Sequence, residues 1–259
     1  LDPAGRTLEN LGATTCTVPR HPIPAAKTPG TYTVEVVTTD AVGTWDVSVS
    51  GGPAPSLAWA APAVVGALGM LLVAVASVWL WRRWYHDESW RWLGAGAALW
   101  TVAVAVKLTI GVLLNGPLLG ALQAALPRWG YLAVGSIYGG GLTGVTEVLF
   151  TFLAGLIWRS LAATAGRAVG VGVGAGAFEA ALLALGAALA AIVAAVGHPW
   201  SLGVLVPTVE RVIAILCHVA ARVLVLMAVA TRRWALFWYG FLLMSVLDGV
   251  AMYWHLSGQ

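Results

Sequence analysis

The chain has 259 residues, 59% of them hydrophobic and 10% charged, with a formal net charge of +3. Ordinary soluble domains carry about 25% charged residues, and the mean hydropathy here is +0.85, so a water-soluble globular domain is excluded. The basic residues form no patch that would hold nucleic acid. The two cysteines, Cys16 and Cys217, give neither a disulfide framework nor a metal spacing.

Leu1 opens the chain without a methionine, which reads as a mature product or a trimmed piece, with no signal peptide visible. Residues 1–55 are predicted to be an extracytoplasmic β-module. They hold Pro3, Pro19, Pro22, Pro24 and Pro29 and end in a stretch of alternating character. Tyr32, Val34 and Val36 alternate with Thr33, Glu35 and Val37. After the turn "DAVG", Trp45, Val47 and Val49 alternate with Asp46, Ser48 and Ser50. Period-2 alternation around a turn predicts a β-hairpin with one buried face. A lone hairpin is marginal, so the first 30 residues are expected to add strands, or the module to lean on the membrane part or a partner.

Residues 56–259 read as a second, transmembrane domain, an all-α polytopic helix bundle. A bilayer span needs about 20 apolar residues, and six are predicted at roughly 57–80, 93–114, 131–158, 168–196, 206–230 and 234–256. Residues 117–127, "PLLGALQAALP", are too short to cross and are expected to be interfacial or re-entrant. Trp79, Trp81, Trp84, Trp90, Trp92, Trp129, Trp158, Trp200, Trp234 and Trp254 fall near segment ends, as an aromatic belt requires. Arg82, Arg83, Arg91, Arg159, Arg167, Arg232 and Arg233 lie in alternate loops, against Arg128 in the others. The positive-inside rule puts the arginine-rich loops in the cytoplasm of a bacterial-type plasma membrane and both chain ends outside.

Lys107, Glu147, Glu179, Arg211, His218, Arg222 and Asp248 fall within the spans, with Glu210 near an end. An intramembrane charge costs at least about 2.5 kcal/mol on insertion scales. Four acids against three bases and a histidine point to paired charges facing the bundle interior. Lys107 is expected to pair with Glu147, Glu179 or Asp248. Gly172, Gly176 and Glu179 share one helical face at offsets of four and seven, and Gly140, Gly144 and Glu147 repeat the spacing. Glycines spaced by four let a neighbouring backbone approach closely. Arg211, His218 and Arg222 share a face of the fifth span.

In this order, "GGLTGVTE", "GVGAGAFEA", "ERVIAILCHVAARVLVL" and "LLMSVLDGVA" resemble the YhfC-type glutamic intramembrane proteases, over roughly residues 57–256. The resemblance implies a carboxylate pair followed by arginine on one helix, then a Gly-x-Gly-His-Gly-Gly-x-Glu-Ala stretch. A Glu-Arg span and a His-x-x-x-Asp span follow. It also implies water activation by a glutamate, with histidine help, to cleave a peptide inside the membrane. Glu147, Glu179, Glu210, Arg211, His218 and Asp248 match that pattern. Val148 stands in place of the second acid, Thr151 of the arginine, Ala175 of one histidine and Met244 of the other. General-base catalysis needs a partner within hydrogen-bond reach and a stabiliser for the developing oxyanion, so the implied machinery is incomplete.

Other chemistries find less support. A metal site built from Glu147, Glu179 and His218 is a minor alternative, and haem finds too few histidines. "GVGVGAG" lies inside a span without the Lys-Ser/Thr of a phosphate loop. No cofactor is expected. The favoured function is a non-catalytic accessory or structural subunit of a membrane complex, in contact with lipid and with a membrane-protein partner or membrane peptide. The alternative is an active intramembrane peptidase with a rearranged site of Glu147, Glu179 and His218. A proton-relaying transporter using Lys107 and the acids is a third possibility.

Overall fold

A computed structural model describes residues 34–37, 42–45, 57–193 and 202–258. The chain divides into two compact units, Leu1–Ala58 and Trp59–Gln259. In the first, β1 (Val34–Val37) pairs antiparallel with β2 (Val42–Trp45), with Val34 opposite Trp45 and Val36 opposite Gly43. Val42 and Gly43, expected in the turn, are already in the second strand. Any strands expected from the first 30 residues lie outside the described residues.

All regular structure among the described residues of the second unit is helical, joined by short turns. Its α-helices are α1 (Leu57–Trp84), α2 (Arg91–Ile110), α3 (Gly116–Ala125), α4 (Arg128–Thr143), α5 (Leu149–Ile157), α6 (Ala165–Val193), α7 (Val206–Thr231) and α8 (Trp234–Ser257). A π-helical turn, Gly111–Asn115, joins α2 to α3, and another, Gly144–Val148, joins α4 to α5. Six stretches among the described residues are long and apolar enough to cross a membrane, at Ala61–Trp84, Arg91–Ala125, Arg128–Ile157, Ala165–Ala190, Gly203–Thr231 and Trp234–Ser257.

Residues 117–127, predicted from the sequence as a separate piece, are joined to the second span. Most of that segment is α3, which continues α2 in one helical stretch, Arg91–Ala125. In an α-helix the ring of Pro117 would strike the carbonyl four residues back. The wider turn at Gly111–Asn115 relieves that contact, so helix continues through the proline.

Close backbone approach organises the bundle, with α2 packed on α6, α6 on α7, α7 on α8 and α8 on α4. A Cβ added at Gly172 would lie 2.5 Å from the Cα of Val219, and one at Gly176 would lie 3.0 Å from the Cα of Ile215. Both glycines therefore seat α6 against α7. The third membrane stretch changes neighbours along its length. Its α4 half packs on α8 and its α5 half on α7, so the Gly144–Val148 turn sits where the two contacts meet.

The arginine-rich end is tied by side chains as well. Trp81 Nε1 donates to the Gly166 carbonyl at 2.8 Å, and Arg167 Nε donates to Glu88 at 3.2 Å. The guanidinium groups of Arg91 and Arg167 lie 4.3 and 4.8 Å from the centre of the Trp92 ring.

Candidate functional site

Spacings of seven and eleven residues complete nearly whole turns, so Arg211, His218 and Arg222 point the same way from α7. All three are buried, Arg222 to 1% exposure. Facing them are Glu179 from α6 and Glu147 from the Gly144–Val148 turn. One Glu179 oxygen accepts from Arg211 Nη1 at 2.6 Å. The other lies 2.6 Å from His218 Nε2 and accepts from Trp100 Nε1 at 3.1 Å. Arg211 also donates from Nη2 to Glu210 at 2.6 Å.

Glu147 is buried and shares only His218 with Glu179. Arg222 Nη2 donates to its Oε2 at 3.2 Å, and His218 Nδ1 lies 3.7 Å from the same oxygen. Lys107 Nζ, on α2, is 3.9 Å from Oε1. The lysine's nearer partner is Asp248 on α8, at 2.7 Å, and the same Asp248 oxygen accepts from Thr143. The intramembrane charges thus form one chain of contacts from Glu210 to Asp248, with His218 between the two glutamates.

Sequence periodicity places Glu147 on the face of Gly140 and Gly144, and the structure corrects this. Those glycines meet Ser245 on α8, whereas Glu147 turns to Arg222 on α7 and Lys107 on α2. A π-helical turn holds one residue more than an α-turn, which swings the carboxylate away from the glycine face. Two members of the cluster escape periodicity. Trp100 sits mid-span, away from the interfaces where tryptophan is usual, and that displacement is its signal. Thr143 is masked by the glycines around it.

The departures from the protease pattern also have places. Val148 and Met244, standing for an acid and a histidine, pack together in one apolar cluster with Phe152, Ala221 and Val225. Thr151, at the arginine position, donates its hydroxyl to the Glu147 carbonyl at 2.8 Å. Ala175 is fully buried. A Cβ added at Gly96 on α2 would meet its backbone nitrogen at 3.0 Å, so the place where histidine is expected is filled by a helix contact. The histidine that reaches Glu179 comes from α7 instead.

Fold and site together define a polytopic helical membrane protein whose intramembrane charges are joined in one cluster. Over residues 190–258 the chain is similar to a known family, matching the model described as YhfC intramembrane metalloprotease. The match holds Glu210, Arg211, His218, Arg222, Met244 and Asp248 and stops short of Glu147 and Glu179. No curated protein and no solved structure matches the chain.

That description implies a metal, but the donors here point apart. His218 directs its two ring nitrogens at different carboxylates, Nε2 at Glu179 and Nδ1 at Glu147. Each carboxylate also holds a guanidinium. A metal needs donors that converge on one point, and a cation there would face two arginines. Among the described residues, no group of three or more His, Cys, Asp or Glu could hold a metal ion. The residues do not fit a metal.

Proposed function

We propose that this chain is a non-catalytic membrane protein of YhfC type, serving as an accessory or structural subunit that engages another membrane protein or a membrane peptide. The observation that carries this reading is the apolar cluster that holds both Val148 and Met244. Where the resemblance implies an acid and a histidine, two hydrophobic side chains occupy one packed core. The remaining carboxylates support it too, because Glu147 and Glu179 are each held by an arginine. In this reading the arginine-rich loops are cytoplasmic and both chain ends lie outside. The N-terminal β-module then offers an extracytoplasmic docking surface.

The test is cleavage of a membrane-peptide library by the purified protein in lipid nanodiscs, read by mass spectrometry. No turnover is expected. Turnover by wild type, abolished in both Glu147→Gln and Glu179→Gln, would overturn the proposal.

A second reading, a peptidase using Glu147, Glu179 and His218, draws support from unused hydrogen-bonding groups. His218 Nδ1 and two nitrogens of Arg222 are buried beside Glu147 without a hydrogen-bond partner. They are groups on which a reacting carbonyl could lean. The same library decides between the two.

A further inference from the structure

Lys107 and Asp248 are more open than the charges at the centre of the cluster. Their side chains are 29% and 31% exposed, while those of Glu147, His218 and Arg222 are at 5% or less. On the same two helices Leu108 and Val112 are 62% and 83% exposed, and Val246 and Val250 are 62% and 64%, so α2 and α8 both carry open apolar surface. The pair therefore reaches the lipid-facing surface.

It also lies deep. Lys107 follows the start of α2 at Arg91 by sixteen residues, about 24 Å at about 1.5 Å per residue. Asp248 follows the start of α8 at Trp234 by fourteen, about 21 Å. Both depths fall within a hydrocarbon core about 30 Å thick. Acyl chains supply neither donors nor acceptors, so charged groups at that depth gain from any polar cover. The two helices offer each other little. Each packs on the Gly144–Val148 turn, and the ion pair spans the distance between them.

The pair's chemistry says what cover fits. Both bonds to Asp248 fall on Oδ2, which leaves Oδ1 as an acceptor among the described residues. The ammonium of Lys107 has three hydrogens, of which the Asp248 bond uses one. An exposed acceptor beside an exposed donor matches a primary amide, which carries NH₂ and C=O side by side.

We propose that the Lys107–Asp248 pair is a docking point, between α2 and α8, for a partner's transmembrane segment that carries an asparagine or glutamine within its apolar span. The amide NH₂ donates to Asp248 Oδ1 and its carbonyl accepts from Lys107. This deepens the accessory-subunit reading and rests on it.

The probe is a synthetic leucine-based transmembrane peptide of about 21 residues with one central asparagine, compared with its all-leucine parent. Binding to the full-length protein in nanodiscs is measured by energy transfer. The asparagine peptide is expected to bind about tenfold tighter than the parent. That preference should vanish in Lys107→Met/Asp248→Leu, which removes both charges and strands neither. Should the double variant fail to fold, moving the asparagine from the centre of the peptide to one end should abolish the preference in wild type equally. Equal binding of the two peptides to wild type, or a preference that survives either change, overturns the proposal. The peptide is then recovered and weighed. Cleaved peptide sinks the non-catalytic reading, whereas intact peptide without preference sinks only the docking point.

Discussion

Arg222 is the most confined charge in the bundle, and its only hydrogen bond among the described residues goes to Glu147. Removing one partner of a buried pair strands the other, at a cost of about 3–5 kcal/mol. Arg222→Met should therefore lower Tm by roughly 10 °C for a chain of this size. Adding Glu147→Leu should recover part of that loss, because the stranded carboxylate goes too. A double variant no more stable than the single one would mean that Glu147 is held mainly by Lys107 and His218. Much of this arrangement is legible from residue spacing alone. Periodicity puts Arg211, His218 and Arg222 on one face, and near-balanced charge implies that they are paired. Their partners are not legible, because pairing across helices depends on which spans are neighbours. Lys107 illustrates the limit, since three acids are open to it in the sequence and geometry selects Asp248, with Glu147 further off.

Neighbouring helices meet through glycine, yet not every glycine is a contact. Gly94 and Gly96 both lie in α2 and are indistinguishable in composition. A Cβ at Gly96 would clash with the Val171 backbone of α6, whereas one at Gly94 would meet nothing within 4 Å. Gly96→Ala should destabilise by about 1–3 kcal/mol through overpacking, and Gly94→Ala should be neutral or raise Tm slightly. Thermal unfolding of both variants in detergent checks the contrast, and equal effects would refute the assigned α2–α6 contact. The connection between α1 and α2 is tied differently. Burial raises the pKa of Glu88, but hydrogen bonds from Thr164 and Arg167 outweigh it and hold the carboxyl below its ordinary value. A lowered folded-state pKa means stability that is present above the ordinary pKa and lost as the pH falls through the lowered one. Glu88→Gln should therefore lower Tm at neutral pH, with the gap to wild type closing in acid. A gap that is constant with pH would remove Glu88 from the clamp.

Six membrane stretches are legible in hydropathy, because a bilayer demands runs of apolar residues that nothing else in the chain imitates. The boundaries near Pro117 are not legible, since proline ends a helix in most settings and only the local π-turn removes the clash. At this scale the arginine asymmetry makes a prediction of its own. In a background lacking Cys16 and Cys217, a cysteine at Ser89 should resist an impermeant thiol reagent in intact cells, while one at Gln123 should react. The reverse pattern would invert the whole molecule in the membrane. The protease resemblance was legible from short motifs over most of the helical domain, yet the family match is confined to residues 190–258. Glu147 and Glu179 lie before it, and they join the matched residues by contact alone.

The turn at Gly144–Val148 carries a consequence for residue counting. Helical turns of this kind contain one residue more than the hydrogen-bond ladder on either side of them. The third membrane stretch is thus one residue longer than the separate packing of α4 on α8 and of α5 on α7 requires. Deleting a residue from a buried helix normally rotates everything beyond it by about 100° and ruins the core. Here deletion of Val145, which is 49% exposed, should convert the turn to ordinary helix and leave both flanks in register. The shortened chain should fold, with Tm within a few degrees of wild type, while Glu147 loses its bearing on Arg222. A deletion variant that fails to fold would mean that the extra residue is needed by the bundle and not by the carboxylate it presents.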